Sequence, residues 1–392
     1  MASVFVTDGH WRKTLAVVRS LGQKGVQVTV GERTTLNTSF FSKYCSRRIV
    51  YPSPKRFPEQ FIEFLLKEIR KNRYDCLFPM EEETLLLMAK YREEISSHVP
   101  FLVPDLQKIE SVRDKGNLIR FAEEHGIPAP RTFYTSASKN IEPLLLQADS
   151  IPIPAVIKPR ISSGSFGIVY VTKQEDLLPS YQKVHARYPF PLIQEWIPDG
   201  MGTYGFSALL DKRSDVKAAF IHKKIRMYPV QGGPSTLREG VCHPQIMELG
   251  ISLLKALNWT GIAMAEFKVD PRDGAPKLME VNPRFWGSLQ LAITSGVDFP
   301  WLMLRLARGE NFPPVLDYRV NKRCRWLLFG DILHFFKNPR RFHLEPSFFR
   351  FFDSNTSEDI FSLDDPLPVV GAAATFFTFL YDPEMKRFLE KR

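Results

Sequence analysis

Strand and helix signals alternate through the first hundred residues, and that alternation restricts the fold more than any other feature of the chain. Residues 4–7, Val-Phe-Val-Thr, form a β-rich run that turns at Asp8, Gly9 and His10. Leu15, Val18 and Leu21 then recur at helical spacing up to Gly25, and residues 26–30 read as a second strand. Phe61, Phe64, Leu65 and Ile69 mark one face of another helix, residues 76–79 a strand end, and residues 82–91 a further helix. Elements in this order build a parallel sheet with crossover connections. Ligands of such sheets sit beyond the C-terminal strand ends, which places residues 8–10 and 80–84 at the working edge. Asp8, His10, Arg12, Glu81, Glu82 and Glu83 are polar candidates there, although a helix N-terminus attracts acidic residues by its dipole alone. The region has no GxGxxG, so dinucleotide binding is not expected.

From about residue 105 the texture changes. Residues 108–124 read as one helix, broken by the Gly-Ile-Pro-Ala-Pro stretch at 126–130. Residues 155–159 form a strand, 162–167 a loop of small residues, and 168–171 and 192–197 two more strands. Residues 206–210 and 216–222 read as a meander, and 263–269 with 276–281 as a hairpin around Asp-Pro-Arg-Asp-Gly.

That hairpin carries the most chemistry. If its strands pair, Glu266 and Glu280 face one point, and Asn282 and Arg284 follow Glu280 at period two on the same face. Two carboxylates and an amide oxygen suit Mg²⁺, or Mn²⁺ in its place, completed by phosphate oxygens. Arg284 is positioned to neutralise a transferring phosphoryl group. A solvated acidic hairpin is the plainer reading. Lys158 at a strand end offers a point charge for phosphate, and Ser163, Gly164, Ser165 and Gly167 offer a loop able to fold over it. No Walker A sequence occurs. The edge strand ending at Gln194, Glu195, Trp196, Ile197 and Pro198 has backbone groups suited to an adenine edge. Lys224 and Arg226, on a basic strand that enters the glycine-rich residues 228–236, could surround an acyl phosphate.

The order of these elements resembles the ATP-grasp superfamily, in the branch of biotin carboxylase, the carbamoyl-phosphate synthase large subunit and stand-alone carboxylate–amine ligases. The resemblance covers residues 1–310. It implies an α/β and α+β architecture: a Rossmann-like pre-ATP-grasp domain at 1–105, an ATP-grasp domain at 106–310 with a lid at about 128–196, and a helical, aromatic-rich extension at 311–392. It implies that Lys115 and Lys158 hold ATP phosphates, that the Glu195 C=O and Ile197 N–H read adenine, and that Glu266, Glu280 and Asn282 hold Mg²⁺. Arg284 matches an arginine at the γ-phosphate or acyl phosphate. The usual ribose glutamate is replaced by Tyr204, with Asp199 as a substitute. The activity implied is ATP- and Mg²⁺-dependent ligation: a carboxylate is phosphorylated to an acyl phosphate, which an amine or other nucleophile displaces. A non-catalytic ATP sensor or scaffold and a carboxyphosphate-forming enzyme are the competing readings.

Composition bounds the rest. A hydrophobic fraction of 44% with 24% charged residues marks a globular chain. No apolar run reaches the roughly 18 residues of a membrane span. Met1 to Phe5 lacks a basic leader pattern, so a cytoplasmic protein is expected, with Cys45, Cys76, Cys242 and Cys324 as reduced thiols. The net charge of +10 gathers partly between Arg319 and Arg350. The aromatic residues there fit a membrane-surface helix, a homodimer interface or packing on the core. Packing on the core or a dimer interface is preferred to the membrane-surface helix, because such a helix carries more lysine on its polar face. No nucleic-acid module is recognised.

Overall fold

The computed structural model describes residues 1–134, 150–162, 166–230, 232–351, 353–382 and 384. Strand β1 (Ser3–Val6) lies between β2 (Gln27–Glu32) and β4 (Cys76–Phe78), and β3 (Cys45–Val50) closes the other side. All pairings are parallel, in the order β3-β2-β1-β4. The sequence pattern missed β3 for a physical reason: it is an edge strand whose Ser46, Arg47 and Arg48 carry no apolar alternation, and charge on an edge discourages further pairing.

A second sheet contains β5 (Thr132–Phe133), β6 (Ala155–Lys158), β7 (Val169–Val171) and β8 (Leu192–Glu195), all antiparallel, in the order β5-β8-β6-β7. The expected edge strand at residues 192–197 is thus an interior strand, held on one side by β5 and on the other by β6. Helix Leu177–Arg187 closes its apolar face with Leu177, Tyr181 and Val184.

The third sheet has seven strands: β9 (Thr203–Leu210), β10 (Val216–Met227), β11 (Ser235–Gly240), β12 (Gly261–Val269), β13 (Pro276–Asn282), β14 (Arg323–Arg325) and β15 (Thr356–Glu358). Their order is β13-β12-β9-β10-β11-β14-β15. Strand alternation sorts its side chains. Phe206, Ala208, Ala265 and Phe267 pack with Ile246, Leu253 and Leu254 of helix Pro244–Ala256. Leu209, Phe220 and Met264 join Val4, Val6, Phe78, Phe285 and Trp286, so one continuous core fastens this sheet to the first.

The C-terminal residues hold the 14-residue helix Pro368–Tyr381 and, beyond the expected helical extension, two strands. They donate β14 and β15 to the large sheet, and helix Ile332–Lys337 is a short element after an irregular turn. Three buried aspartates of this segment reach back into the core. Asp331 clasps Arg226 and Arg325, Asp359 clasps Arg238 and Arg12, and Asp365 clasps Arg19. No helix of the described residues is long and apolar enough to cross a membrane.

Candidate functional site

The expected helix at 108–124 is two helices, Leu106–Arg113 and Lys115–Glu124, separated at Asp114, whose ψ of 104° is extended. Asp114 caps the second helix by accepting from the Gly116 and Asn117 N–H groups at 2.8 and 3.2 Å. Arg160 locks the cap, donating to Asp114 at 2.9 Å and to Asn117 at 3.1 Å. This places Lys115 at the first position of a helix, where the dipole disfavours a cation. Two oxygen partners offset that cost: the Ser162 carbonyl at 2.7 Å and the Glu280 carboxylate at 3.9 Å.

Glu266 and Glu280 are direct partners across β12 and β13, as the hairpin pattern predicts. A register shift after Glu266 gives β13 an extra residue there. Asn282 donates to Glu280 at 3.1 Å, and Lys224 of the same sheet lies 2.5 Å from Glu266. Lys158, at the end of β6, is buried and lies within the field of both carboxylates. Three lysines from three separate elements therefore surround two facing carboxylates.

The electrostatics distinguish the two acids. Burial pushes the Glu266 carboxyl up, and Lys224 only partly offsets it. Burial also opposes ionisation of Glu280, but Lys115, Lys224 and the Asn282 amide outweigh it, so its pKa lies below the ordinary glutamate value. Lys158 is pushed down to about 8, first by burial and then by Lys115. An anion placed beside Lys158 would restore its charge. Nucleotide binding near pH 8 should therefore draw up to about half a proton from solvent. Calorimetry in buffers of different ionisation enthalpy should show that uptake, and Lys158→Met should remove it. An unchanged proton count in the variant would disprove the assignment.

Arg284 lines a cavity with Glu82, Arg113, Lys115, Glu280 and Asn282. One of its N–H groups donates to the Phe285 carbonyl at 3.0 Å, while its buried Nε has no hydrogen-bond partner among the described residues. Such an orphaned donor is expensive unless an acceptor arrives. Of the three glutamates at the first sheet's edge, Glu81 pairs with Lys13 at 2.6 Å, Glu82 pairs with Arg113 inside the cavity, and Glu83 lies against exposed Lys55. Arg113 was not singled out in the sequence, because it reads there as an ordinary basic residue in a helix's last turn.

Other candidates do not reach this centre. Arg226 is buried against Asp331, at 2.7 and 2.6 Å, and donates to the Pro346 carbonyl at 2.7 Å. Tyr204 lies on the core face of β9 with Phe206, gives its hydroxyl to the Met201 carbonyl and packs edge-on against His243. Its ring is part of the core cluster under β9. Asp199 lies 2.7 Å from Lys268, two residues along β12 from Glu266. Asp8 accepts from Thr84 and the Glu81 N–H, His10 lies against Thr34 and Glu32, and Arg12 stacks on Trp326. All three hold the local fold together. Glu195 ends β8, its carboxylate bonded to the Arg131 N–H and Arg272, and Ile197 is buried beyond it. Ser163, Gly164 and Ser165 lie outside the described residues. Gly167 has φ +75°, and a Cβ there would meet Pro159 and Tyr188 at 2.7 Å, so only glycine fits.

A parallel sheet, a small antiparallel sheet and a long sheet that is antiparallel except for its β14–β15 edge, meeting at paired carboxylates ringed by lysines, define the ATP-grasp fold. Residues 223–326 match the family model described as "ATP-grasp in the biosynthetic pathway with Ter operon", so the chain carries an ATP-grasp domain. Among curated proteins it is similar to the carbamoyl phosphate synthase large chain of Methanobrevibacter smithii, 22% identical over 67% of this chain and 27% of that protein. It is also similar to D-aspartate ligase of Enterococcus faecium, 24% identical over 57% of this chain and 58% of that enzyme. The chain therefore spans about a quarter of the first of these relatives and somewhat over half of the second. Biotin carboxylase of Campylobacter jejuni, solved as a beta-gamma-ATP complex, shares the fold with a TM-score of 0.67 at 16% identity, covering 82% of this chain and 74% of that one. The biotin carboxylase domain of Hydrogenobacter thermophilus 2-oxoglutarate carboxylase, solved with MgADP and bicarbonate, gives 0.65 at 17% identity, with 82% and 73% covered.

Proposed function

We propose that the protein is an ADP-forming, ATP- and Mg²⁺-dependent ligase that activates a carboxylate as an acyl phosphate and transfers the acyl group to an amine. The observation that carries this reading is the direct pairing of Glu266 with Glu280, with Asn282 beside them and Lys115, Lys158 and Lys224 around them. A binding-only module has no need of both carboxylates and a partnerless arginine donor. The relatives support the same chemistry, since both D-aspartate ligase and carbamoyl phosphate synthase carry the domain.

The donor set suits Mg²⁺. Two carboxylates and one amide oxygen are hard ligands, and no group of three or more His, Cys, Asp or Glu forms a protein-only cage among the described residues. Glu266, Glu280 and Asn282 would hold the ion with nucleotide oxygens completing its shell. When bound, it supplies charge neutralisation at the phosphates. The chain's own residues do the remainder. Lys115 and Lys158 orient the phosphates from the helix start and from β6. Arg284 offers its Nε–H to an oxygen of the phosphoryl group in transit. A substrate carboxylate oxygen bonds to the γ-phosphorus as the bond to the ADP oxygen breaks; the amine nitrogen then attacks the acyl carbon, inorganic phosphate leaves, and the nitrogen loses a proton. Positioning and electrostatics suffice for both steps.

Purified protein supplied with ATP, Mg²⁺ and pools of small acids and amines should release ADP and phosphate only with particular pairs of pools. Tight ATP binding with no turnover in any combination would sink this reading in favour of a nucleotide sensor.

A further inference from the structure

The C-terminal segment has an inner and an outer face, and the outer one is unlike ordinary surface. Phe335 sits at the centre of an aromatic cluster, 4.3 Å from the ring of Phe348 and within 6 Å of Phe336, Phe342 and Phe349. The inner ring, Phe348, is buried, whereas Phe336, Phe342 and Phe349 are 65, 69 and 58% exposed. Isolated exposed apolar residues are common, but a contiguous patch of phenyl rings on a folded surface marks a contact site.

The patch is rigidly mounted. Arg226 donates to the Pro346 carbonyl and Arg325 to the Phe348 carbonyl at 2.8 Å, and both arginines are fixed by Asp331. Its rim is cationic: Lys337, Arg340, Arg341 and Arg350 are all exposed, against Glu345 and the partly buried Asp353. Among the described residues only Arg350 of these four reaches a carboxylate, Asp353 at 3.6 Å.

We propose that this patch docks the protein on an anionic membrane surface. The three outer phenyl groups enter the headgroup–acyl boundary while Lys337, Arg340 and Arg341 engage lipid phosphates and carboxylates. The chemistry on the page selects this occupant. Phenyl rings have no polar group to satisfy in a lipid interface, and a cationic rim complements an anionic leaflet. A two-fold contact with a second copy would set the same cations against each other, at a repulsive cost. The inference is independent of the ligase reading, because none of these residues lies in the carboxylate–lysine centre.

The test is flotation of the full chain with phosphatidylcholine vesicles, with and without about a third phosphatidylserine. Binding should appear with the anionic vesicles and weaken as salt rises. Phe336→Ser, Phe342→Ser and Phe349→Ser combined should lower it at least about tenfold. Arg340→Gln with Arg341→Gln should lower it by roughly 25-fold, about fivefold for each cation removed, while ATP-dependent turnover and thermal unfolding stay as in the parent. Equal binding to neutral and anionic vesicles, or none to either, would overturn the proposal. So would a concentration-dependent dimer, or a complex with labelled RNA, that the phenylalanine variant abolishes.

Discussion

Glu280→Gln should eliminate ADP formation and leave the fold intact. The substitution keeps the side chain's size and its hydrogen bond to Asn282, and removes one unit of negative charge from the point where Glu266, Lys115 and Lys224 converge. Replacing a charged oxygen ligand by an amide weakens the hold on a hard divalent ion and takes from Lys115 the carboxylate it faces. Losing one preorganised electrostatic group at a phosphoryl-transfer centre costs on the order of 10²–10³ in kcat, and loss of the ion itself costs more. Steady-state ADP release in saturating Mg²⁺ reads the effect, and the thermal midpoint reads the fold. Normal turnover by a folded Glu280→Gln protein would refute the metal assignment. Glu266→Gln should behave similarly, with an added change, because it also frees Lys224 from its 2.5 Å partner.

Asp331→Ala should be the most destabilising single change outside the hydrophobic core. Asp331 is fully buried, and its carboxylate accepts from Arg226 twice, from Arg325 at 2.7 Å and from Thr236 at 2.9 Å. Removing it strands two guanidinium groups in the interior. Breaking a buried pair by deleting one partner costs about 3–5 kcal/mol, because the remaining charge is desolvated without compensation. The denaturation midpoint should fall accordingly, and the Pro346 and Phe348 carbonyls should lose the arginines that hold the aromatic loop. An unchanged midpoint would mean that Asp331 is dispensable and that the loop is supported by the phenylalanine cluster alone.

These two residues also mark the border between what local sequence reveals and what it does not. The approach of Glu266 to Glu280 was legible because a hairpin around Asp-Pro-Arg-Asp-Gly is local, but their direct pairing rests on the extra residue in β13, since unbroken alternation from the turn would set Glu266 opposite Met279. The parallel sheet was legible from strand–helix order for the same reason. Lys224 and Arg226 defeated that reasoning. Strict alternation puts them on one face, but register shifts on either side of Arg226, where β10 pairs with β11, separate their fates. Lys224 reaches Glu266, and Arg226 turns to an aspartate 105 residues away.

By itself, then, the sequence determined the strand–helix alternation that builds the parallel sheet and the hairpin that presents two glutamates and an asparagine near one point. Only the tertiary structure decided which cations meet those acids. It also showed that the C-terminal segment, besides its helices, adds two strands to the large sheet, and that its aspartates neutralise Arg12, Arg19, Arg226, Arg238 and Arg325. The division has one cause. Backbone periodicity is set by neighbours in the chain, whereas a buried charge is tolerated only beside its counter-charge, and that partner can come from any part of the sequence that the fold brings near.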